Sequence, residues 1–323
     1  SRVAFPWTMI DKITPRPGQD VLKILEEDGL TGMEPVVTAK NTYAAPFVNA
    51  EECEYLVIED DFPNGRPALE KAGFLFTDRE TVEKAEKMKV CTCLNPLHTA
   101  LAVFGCLLGY KKISEEMKDR DLVSLLRRIG YEEGLPAVTD PGILDPREFL
   151  DTVLTVRFPN PFLPDSPQRI ATDTSQKLSV RFGETIKAYM ASPDLDMDRL
   201  RGIPLVLAGW LRYRMAVDDD GRLMELSPDP MAERLGRRLE RIQLGGCLQM
   251  EHIRGSEHVL RPEGVPGPEI REALRPVLSD AAVFGVDLFK AGLADRVTEY
   301  FTEMAAGPGM VRRTLHALGK GEK

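Results

Sequence analysis

The chain has 323 residues, 43% of them apolar, which is ample for a core and long for one compact unit, so two domains or one domain plus a piece of another are expected. Lys+Arg 42 against Asp+Glu 51 gives a net charge of -9, which argues against a nucleic-acid or anionic-membrane surface. The longest nearly uninterrupted apolar run, Thr99 to Tyr110, covers about half of the roughly 20 residues that a bilayer span needs, and no signal-peptide pattern opens the chain, so a soluble cytoplasmic protein is expected.

The first 80 or so residues read as strands and loops, with short β-branched and aromatic stretches at Pro35 to Val37 and Tyr55 to Ile58 bounded by Pro, Asn and Gly. From there the apolar residues recur at three and four, and the spacing predicts helices over 79–88, 96–109, 113–130, 147–155, 167–191, 197–213, 229–243, 268–279, 287–305 and 309–318. Breaks are expected at Pro136, Pro141, the Phe158 to Pro164 cluster, Asp218-Asp-Asp-Gly221 and Pro262 to Pro268. Asn95-Pro96 reads as an N-cap followed by a first-turn proline, which sets His98 in the first helical turn.

The five cysteines, Cys53, Cys91, Cys93, Cys106 and Cys247, form an odd and scattered set that fits a reducing compartment. Cys91-x-Cys93 is a conceivable metal or redox pair, but packing cysteines are the better reading. Asp218-Asp-Asp-Gly221 lacks the carboxylate that a calcium loop would place two residues earlier and reads as a turn. His252, His258 and His316 show no metal-ligand spacing, and Arg234, Arg237, Arg238 and Arg241, interleaved with Glu233 and Glu240, read as a solvated helix face. No G-x-G-x-x-G follows a strand and no P-loop is present, so no nucleotide site can be read from these residues.

Chemistry concentrates in Glu86-Lys-Met-Lys-Val-Cys-Thr-Cys-Leu-Asn-Pro-Leu-His98, where Lys89, Asn95 and His98 offer a base, a neutral amide and an imidazole. That set suits removal of a proton from a sugar hydroxyl. The plain alternatives are a solvated Lys89 in the company of Lys84 and Lys87, and an Asn95 that only caps. To act as a base near neutral pH, Lys89 would need its pKa lowered by about 3 units, or about 4 kcal/mol of differential environment. Arg169, Asp173 and Lys177, spaced by four and four, would share one helix face, either as an ion-pair ladder or as a grip on sugar hydroxyls or a carboxylate.

Two segments resemble the mannitol dehydrogenase family of long-chain polyol and hexuronate dehydrogenases. Val3-Ala-Phe-Pro-Trp-Thr-Met-Ile-Asp-Lys-Ile-Thr-Pro15 is similar to the family signature, with Ile10-Asp11-Lys12 where the family usually has Val-Asp-Arg. Glu86 to His98 is similar to the family's catalytic stretch and keeps both the Glu86 to Lys89 and the Asn95 to His98 spacings. Asn95 lies six residues after Lys89 where the family pattern has five, so a loop or a single-turn π-bulge must absorb the extra residue, and Lys87 is the nearest rival for the base. Val57-Ile-Glu-Asp60, the Arg169 to Lys177 cluster and Asp218 to Gly221 ahead of Asp229-Pro230 agree as well.

The resemblance implies a mainly α chain, with residues 1–84 as the last strands of a truncated Rossmann-type α/β nucleotide domain and 85–323 as a helical substrate domain. It implies a fragment, or a nucleotide-binding half carried upstream or on another polypeptide. It further implies zinc-independent oxidation of a secondary alcohol with NAD or NADP, with Lys89 taking the hydroxyl proton, Asn95 steadying the oxyanion, and His98, Asp11, Glu86, Arg169 and Lys177 positioning the substrate. The expected substrate pair is fructuronate and D-mannonate, because Arg169 and Lys177 could meet a carboxylate, with mannitol and fructose as the alternative. A non-catalytic helical module for partner binding or dimerisation is the alternative of another class.

Overall fold

The computed structural model describes residues 3–16, 18–239, 242 and 267–321. The N-terminal part is β1 (Thr8–Asp11), α1 (Gln19–Glu27), β2 (Val36–Val37), β3 (Tyr43–Ala44), β4 (Tyr55–Glu59) and β5 (Leu75–Thr77). β4 lies at the centre of a three-stranded sheet, antiparallel to β1 with Met9 opposite Val57 and parallel to β5 with Ile58 opposite Phe76, while β2 and β3 form a separate hairpin. The sequence pattern anticipated β2 and β4 and missed β1, β3, β5 and α1. Strand alternation turns Met9 and Asp11 inward and leaves Thr8 and Ile10 exposed, so a carboxylate enters the interior on the same face as a methionine.

α2 (Arg79–Met88) starts where Asp78 accepts a hydrogen bond from the Thr81 N–H at 2.9 Å, and its Val82 and Ala85 pack on Met9 and Val57. The expected domain boundary between 84 and 85 therefore falls inside α2. A five-residue π-turn, Lys89–Cys93, leads directly into α3 (Asn95–Leu107). By length and composition alone the helical run Arg79–Leu107 could cross a membrane, yet 83% of its apolar window is buried inside the protein, as in a core helix.

The remaining helices are α4 (Ile113–Glu116), α5 (Arg120–Arg127), α6 (Pro146–Thr152), α7 (Pro167–Ile170), α8 (Thr174–Leu178), α9 (Glu184–Ala191), α10 (Gly202–Tyr213), α11 (Ala232–Leu239), α12 (Gly267–Leu278), α13 (Ala281–Phe284), α14 (Ala294–Met304) and α15 (Met310–Gly319). α3 and α10 are the axis of the core: every residue of α10 is buried, and Gly209 lets the Phe104 ring approach its backbone. The buried Glu133 carboxylate fixes the start of α10 by accepting from the N–H groups of Arg201, Gly202 and Ile203 at 2.8, 2.6 and 2.8 Å.

Several long helices expected from spacing are divided. The 113–130 stretch breaks at Met117–Asp119, where the Asp119 side chain caps α5. The 167–191 stretch breaks at Asp173, which takes the left-handed conformation at φ 53° and donates its N–H to the Pro228 carbonyl. The 197–213 stretch opens with a short 3₁₀ turn, Met197–Arg199, before α10, and the 287–305 stretch becomes helical only at Ala294. Three further π-turns, Arg128–Gly134, Val153–Arg157 and Ser179–Gly183, extend α5, extend α6 and join α8 to α9. Asp218 to Gly221 is a turn, and the buried Asp219 carboxylate accepts from the Val311 and Arg312 N–H groups at the start of α15. Of the expected 229–243 helix the part beyond 239 lies largely outside the described residues, as do Cys247, His252 and His258.

Candidate active site

Asp11, Lys89, Asn95, His98 and Arg157 surround the junction between the β1 end of the sheet and the start of α3. The Lys89 ammonium lies 3.4 Å from Asp11 Oδ1. Lys87 points elsewhere, with its Nζ 3.8 Å from the Glu184 carboxylate. The extra residue between Lys89 and Asn95 is taken up by the π-turn, in which Leu94 N–H reaches the Lys89 carbonyl at 3.0 Å. The structure thus keeps Lys89, and not Lys87, at the mouth of α3.

Asn95 does not cap. It is the first residue of α3, Leu94 occupies the position before it, and no side-chain cap is present. The N-cap position falls one residue earlier, on Leu94, whose backbone at φ -126° and ψ -64° separates the π-turn from α3. Its carbonyl accepts from the Thr99 hydroxyl at 2.9 Å, and its side-chain amide has no hydrogen bond among the described residues.

His98 is largely buried, its ring tilted against Phe158 with centroids 5.2 Å apart and its Nε2 3.5 Å from Asp165 Oδ2. Burial lowers the imidazole's pKa, and the Asp165 carboxylate only partly offsets it. A small cavity of about 30 Å³, lined in part by Ile13, Leu94, His98, Arg157, Phe158 and Asp165, opens beside the ring. That is room for a water or so.

Arg157 is the residue that sequence reasoning missed. Its side chain is 2% exposed, and its two terminal nitrogens donate to Asp11 Oδ2 and Oδ1 at 2.7 and 2.8 Å. One of them also donates to Glu51 Oε1 at 2.8 Å, and that oxygen accepts the Ile13 N–H at 2.6 Å. Burial alone would raise the Asp11 carboxyl, but the Arg157 hydrogen bonds and charge, with Lys89 behind them, hold it below the ordinary range. For Glu51 burial prevails and pushes its carboxyl up. The available signal was an arginine ending the apolar stretch Val153-Leu-Thr-Val just before a proline cluster, since an arginine among buried residues needs a partner.

The other expected site residues fall outside this group. Glu86 is exposed and has no hydrogen bond or ion pair among the described residues. Arg169 is exposed and pairs with Asp165, so the predicted ladder with Asp173 does not form. Lys177 donates to the Thr172 carbonyl; burial lowers its pKa, and so does the charge of Arg181. Cys53, Cys91, Cys93 and Cys106 are free and buried, and desolvation pushes the thiols of Cys91 and Cys93 up to about 11 and about 12, as packing cysteines should behave. His316 pairs with Asp121 on the surface.

The profile of the Mannitol dehydrogenase C-terminal domain matches residues 81–245, about half the chain. The chain belongs to the mannitol dehydrogenase family. It is 55% identical over 318 residues to the D-mannonate oxidoreductase of Thermotoga maritima, covering 98% of this chain and 55% of that protein. It is 33% identical over 235 residues to a mannitol 2-dehydrogenase of Aspergillus fumigatus, covering 72% and 43%. Among solved structures, the Pseudomonas fluorescens mannitol 2-dehydrogenase in ternary complex with NAD and D-mannitol matches 98% of this chain and 55% of its own, with a TM-score of 0.70 and 26% identity. The chain spans about half the length of the curated relatives it matches.

Proposed function

We propose that the chain is the substrate-binding and proton-handling part of an NAD- or NADP-dependent oxidoreductase that interconverts D-mannonate and fructuronate. The observation that carries this reading is the meeting of Lys89 with the Arg157-held Asp11 carboxylate beside an uncapped Asn95. The 55% identity to a D-mannonate oxidoreductase supports the substrate pair.

Lys89 Nζ accepts the hydroxyl proton of the secondary alcohol. The Asn95 amide donates to the oxygen as it gains charge, and the N-terminal end of α3 adds a favourable dipole. Asp11 acts as the counter-ion that steers Lys89, and His98, buried against Phe158, offers an imidazole nitrogen to a neighbouring hydroxyl. Lys177 is the further cation on offer to the substrate, while Arg169 stays with Asp165 and Glu86 remains exposed. The scheme uses no metal.

Bound nicotinamide would supply the hydride acceptor. The described residues carry no glycine-rich turn between strand and helix, so the groups that grip its phosphates are not among them. Residues 1–84 fit the end of a nucleotide-binding domain, with parallel β4 and β5 as its last strands and residues 85–323 as the helical domain. A cytoplasmic setting suits four buried free thiols.

A second reading, mannitol and fructose, is favoured by the pairing of Arg169 with Asp165, which reduces what Arg169 can offer a carboxylate. The test is nicotinamide absorbance in the near ultraviolet, using the full-length gene product with hexuronates, aldonates, hexitols and ketoses. Turnover of D-mannonate and fructuronate is the expected result. Turnover of mannitol alone supports the second reading, and cofactor binding without turnover of anything supports a non-catalytic helical module.

A further inference from the structure

Arg181 stands on the π-turn Ser179–Gly183, opposite α3. Its Nη1 donates to Thr99 Oγ1 at 2.6 Å, and that hydroxyl donates in turn to the Asn95 carbonyl at 2.9 Å. The guanidinium is therefore one hydroxyl away from the first residue of α3 and one residue along the helix from His98. Lys177 lies four residues earlier, buried enough and close enough to the Arg181 charge for both to lower its pKa, and its ammonium donates to the Thr172 carbonyl.

Among the described residues no carboxylate comes within ion-pairing distance of Arg181 or of Lys177, although Asp173 and Asp229 act on Lys177 through their charge. Asp165, the acid beside His98, is already paired with Arg169, and Asp229 is held by the Ser175 N–H and hydroxyl at 2.9 and 2.5 Å. The cost shows in Arg181 itself, whose pKa burial lowers to about 10 with no anion acting against it. Charged side chains leave water readily only when paired, and two unpaired cations side by side raise that cost further. A guanidinium held by a single hydroxyl keeps most of its five donors for another partner, and its fork matches a carboxylate.

We propose that Arg181, with Lys177, forms an anion subsite that takes the carboxylate of a sugar acid whose hydroxyl carbon faces Asn95 and Lys89. This rests on the reading of the chain as a D-mannonate and fructuronate oxidoreductase, and it assigns the recognition of the acid to Arg181, leaving the solvent-facing Arg169 to Asp165. A phosphate of the cofactor would satisfy the same chemistry. The position beside Asn95 and His98 favours the substrate.

The test uses the full-length protein with Arg181→Leu and Arg181→Lys, measuring KM for D-mannonate, fructuronate and the cofactor together with the Kd for D-mannonate by calorimetry. Arg181→Leu should raise the KM and Kd for D-mannonate and the KM for fructuronate by about 30-fold or more, with Arg181→Lys recovering part of the loss. If Arg181→Leu does not fold, Arg181→Gln and Arg181→Lys carry the same comparison. Sugar-acid constants within about 3-fold of wild type overturn the subsite, and a rise confined to the cofactor's KM reassigns the cation to a cofactor phosphate and overturns it too. Wild-type protein that binds D-mannonate through Arg181 yet turns over no substrate sinks the enzymatic reading alone, whereas turnover of D-mannonate with Arg181→Leu at wild-type constants sinks the subsite alone.

Discussion

Arg157 holds both carboxylate oxygens of Asp11, at 2.7 and 2.8 Å, across 146 residues of sequence. The pair joins the end of β1 to the π-turn Val153–Arg157 and turns the remaining face of Asp11 toward Lys89 at 3.4 Å. Lys89, Arg157 and Arg181 all ride on π-turns, where the local change of pitch aims a side chain that a regular helix would carry to another face.

Arg157→Met should destabilise the protein by about 3–5 kcal/mol, because it strands the buried Glu51 carboxylate without a cation and leaves the buried Asp11 only Lys89. The sign of the acid response follows from Asp11. Its folded pKa lies below the ordinary 3.8, so its contribution is present above that value and is lost as pH falls below it. Glu51 is shifted the other way, and its effect develops above its ordinary 4.5, while the other lowered carboxylates, Asp119 and Asp165 among them, act alike in wild type and variant, so the difference between the two limbs below pH 3.8 reports Asp11. Urea denaturation of wild type should show stability falling along that limb, with a flatter limb in Arg157→Met. Identical acid limbs would remove Asp11 as the anchor.

Lys89→Ala in the full-length protein should lower turnover by about 10²–10⁴-fold, the range for loss of a positioned acid–base group. Lys87→Ala, which loses only a contact at 3.8 Å with Glu184, should stay within about 2-fold. Steady-state kinetics of the two variants side by side decide the assignment, and the reverse order would give the base to Lys87.

How far the site could be read from sequence depended on distance along the chain. α2 matched its expected 79–88 bounds because its apolar residues keep helical spacing and Asp78 marks its start, and α3 deviated by only a residue or two. Lys89, Asn95 and His98 were visible because they lie within ten residues of each other. The π-turns were not, since one extra residue per turn barely disturbs a three-and-four apolar pattern. Asp173 was placed on a helix because its spacing of four from Arg169 and Lys177 fits one, while its left-handed backbone is set by a bond to Pro228, 55 residues on. Arg157, Asp11 and Glu51 are joined only by tertiary structure, and the alternation of a four-residue strand was too short a signal to show Asp11 facing inward.

Asn95→Ala separates catalysis from capping. Because Asn95 makes no side-chain cap, its removal should change folding stability by well under the ~1 kcal/mol that a lost N-cap costs. Turnover should fall by about 10²–10³-fold if its amide steadies the developing oxyanion. A stability loss of 1 kcal/mol or more with unchanged kcat would return Asn95 to a structural role.

Glu116 is fully buried, and neither carboxylate oxygen has a hydrogen-bond partner among the described residues. It fits against α3 only because residue 105 is glycine: a Cβ there would sit 2.3 Å from Glu116 Oε1. Burial, followed by the charges of Asp119 and Glu115, pushes its carboxyl up to about 9, so the folded protein keeps it neutral while the unfolded chain ionises near the ordinary 4.5. A raised folded value means that stability is fully present below 4.5 and is lost as pH rises toward about 9. The slope is at most about 1.4 kcal/mol per pH unit. Glu116→Gln carries no titrating group and should lose that slope, so the variant gains on wild type steadily from pH 5 to pH 8 in denaturation midpoints. Parallel curves for the two proteins would mean that Glu116 is ionised in the folded core and has found a partner there.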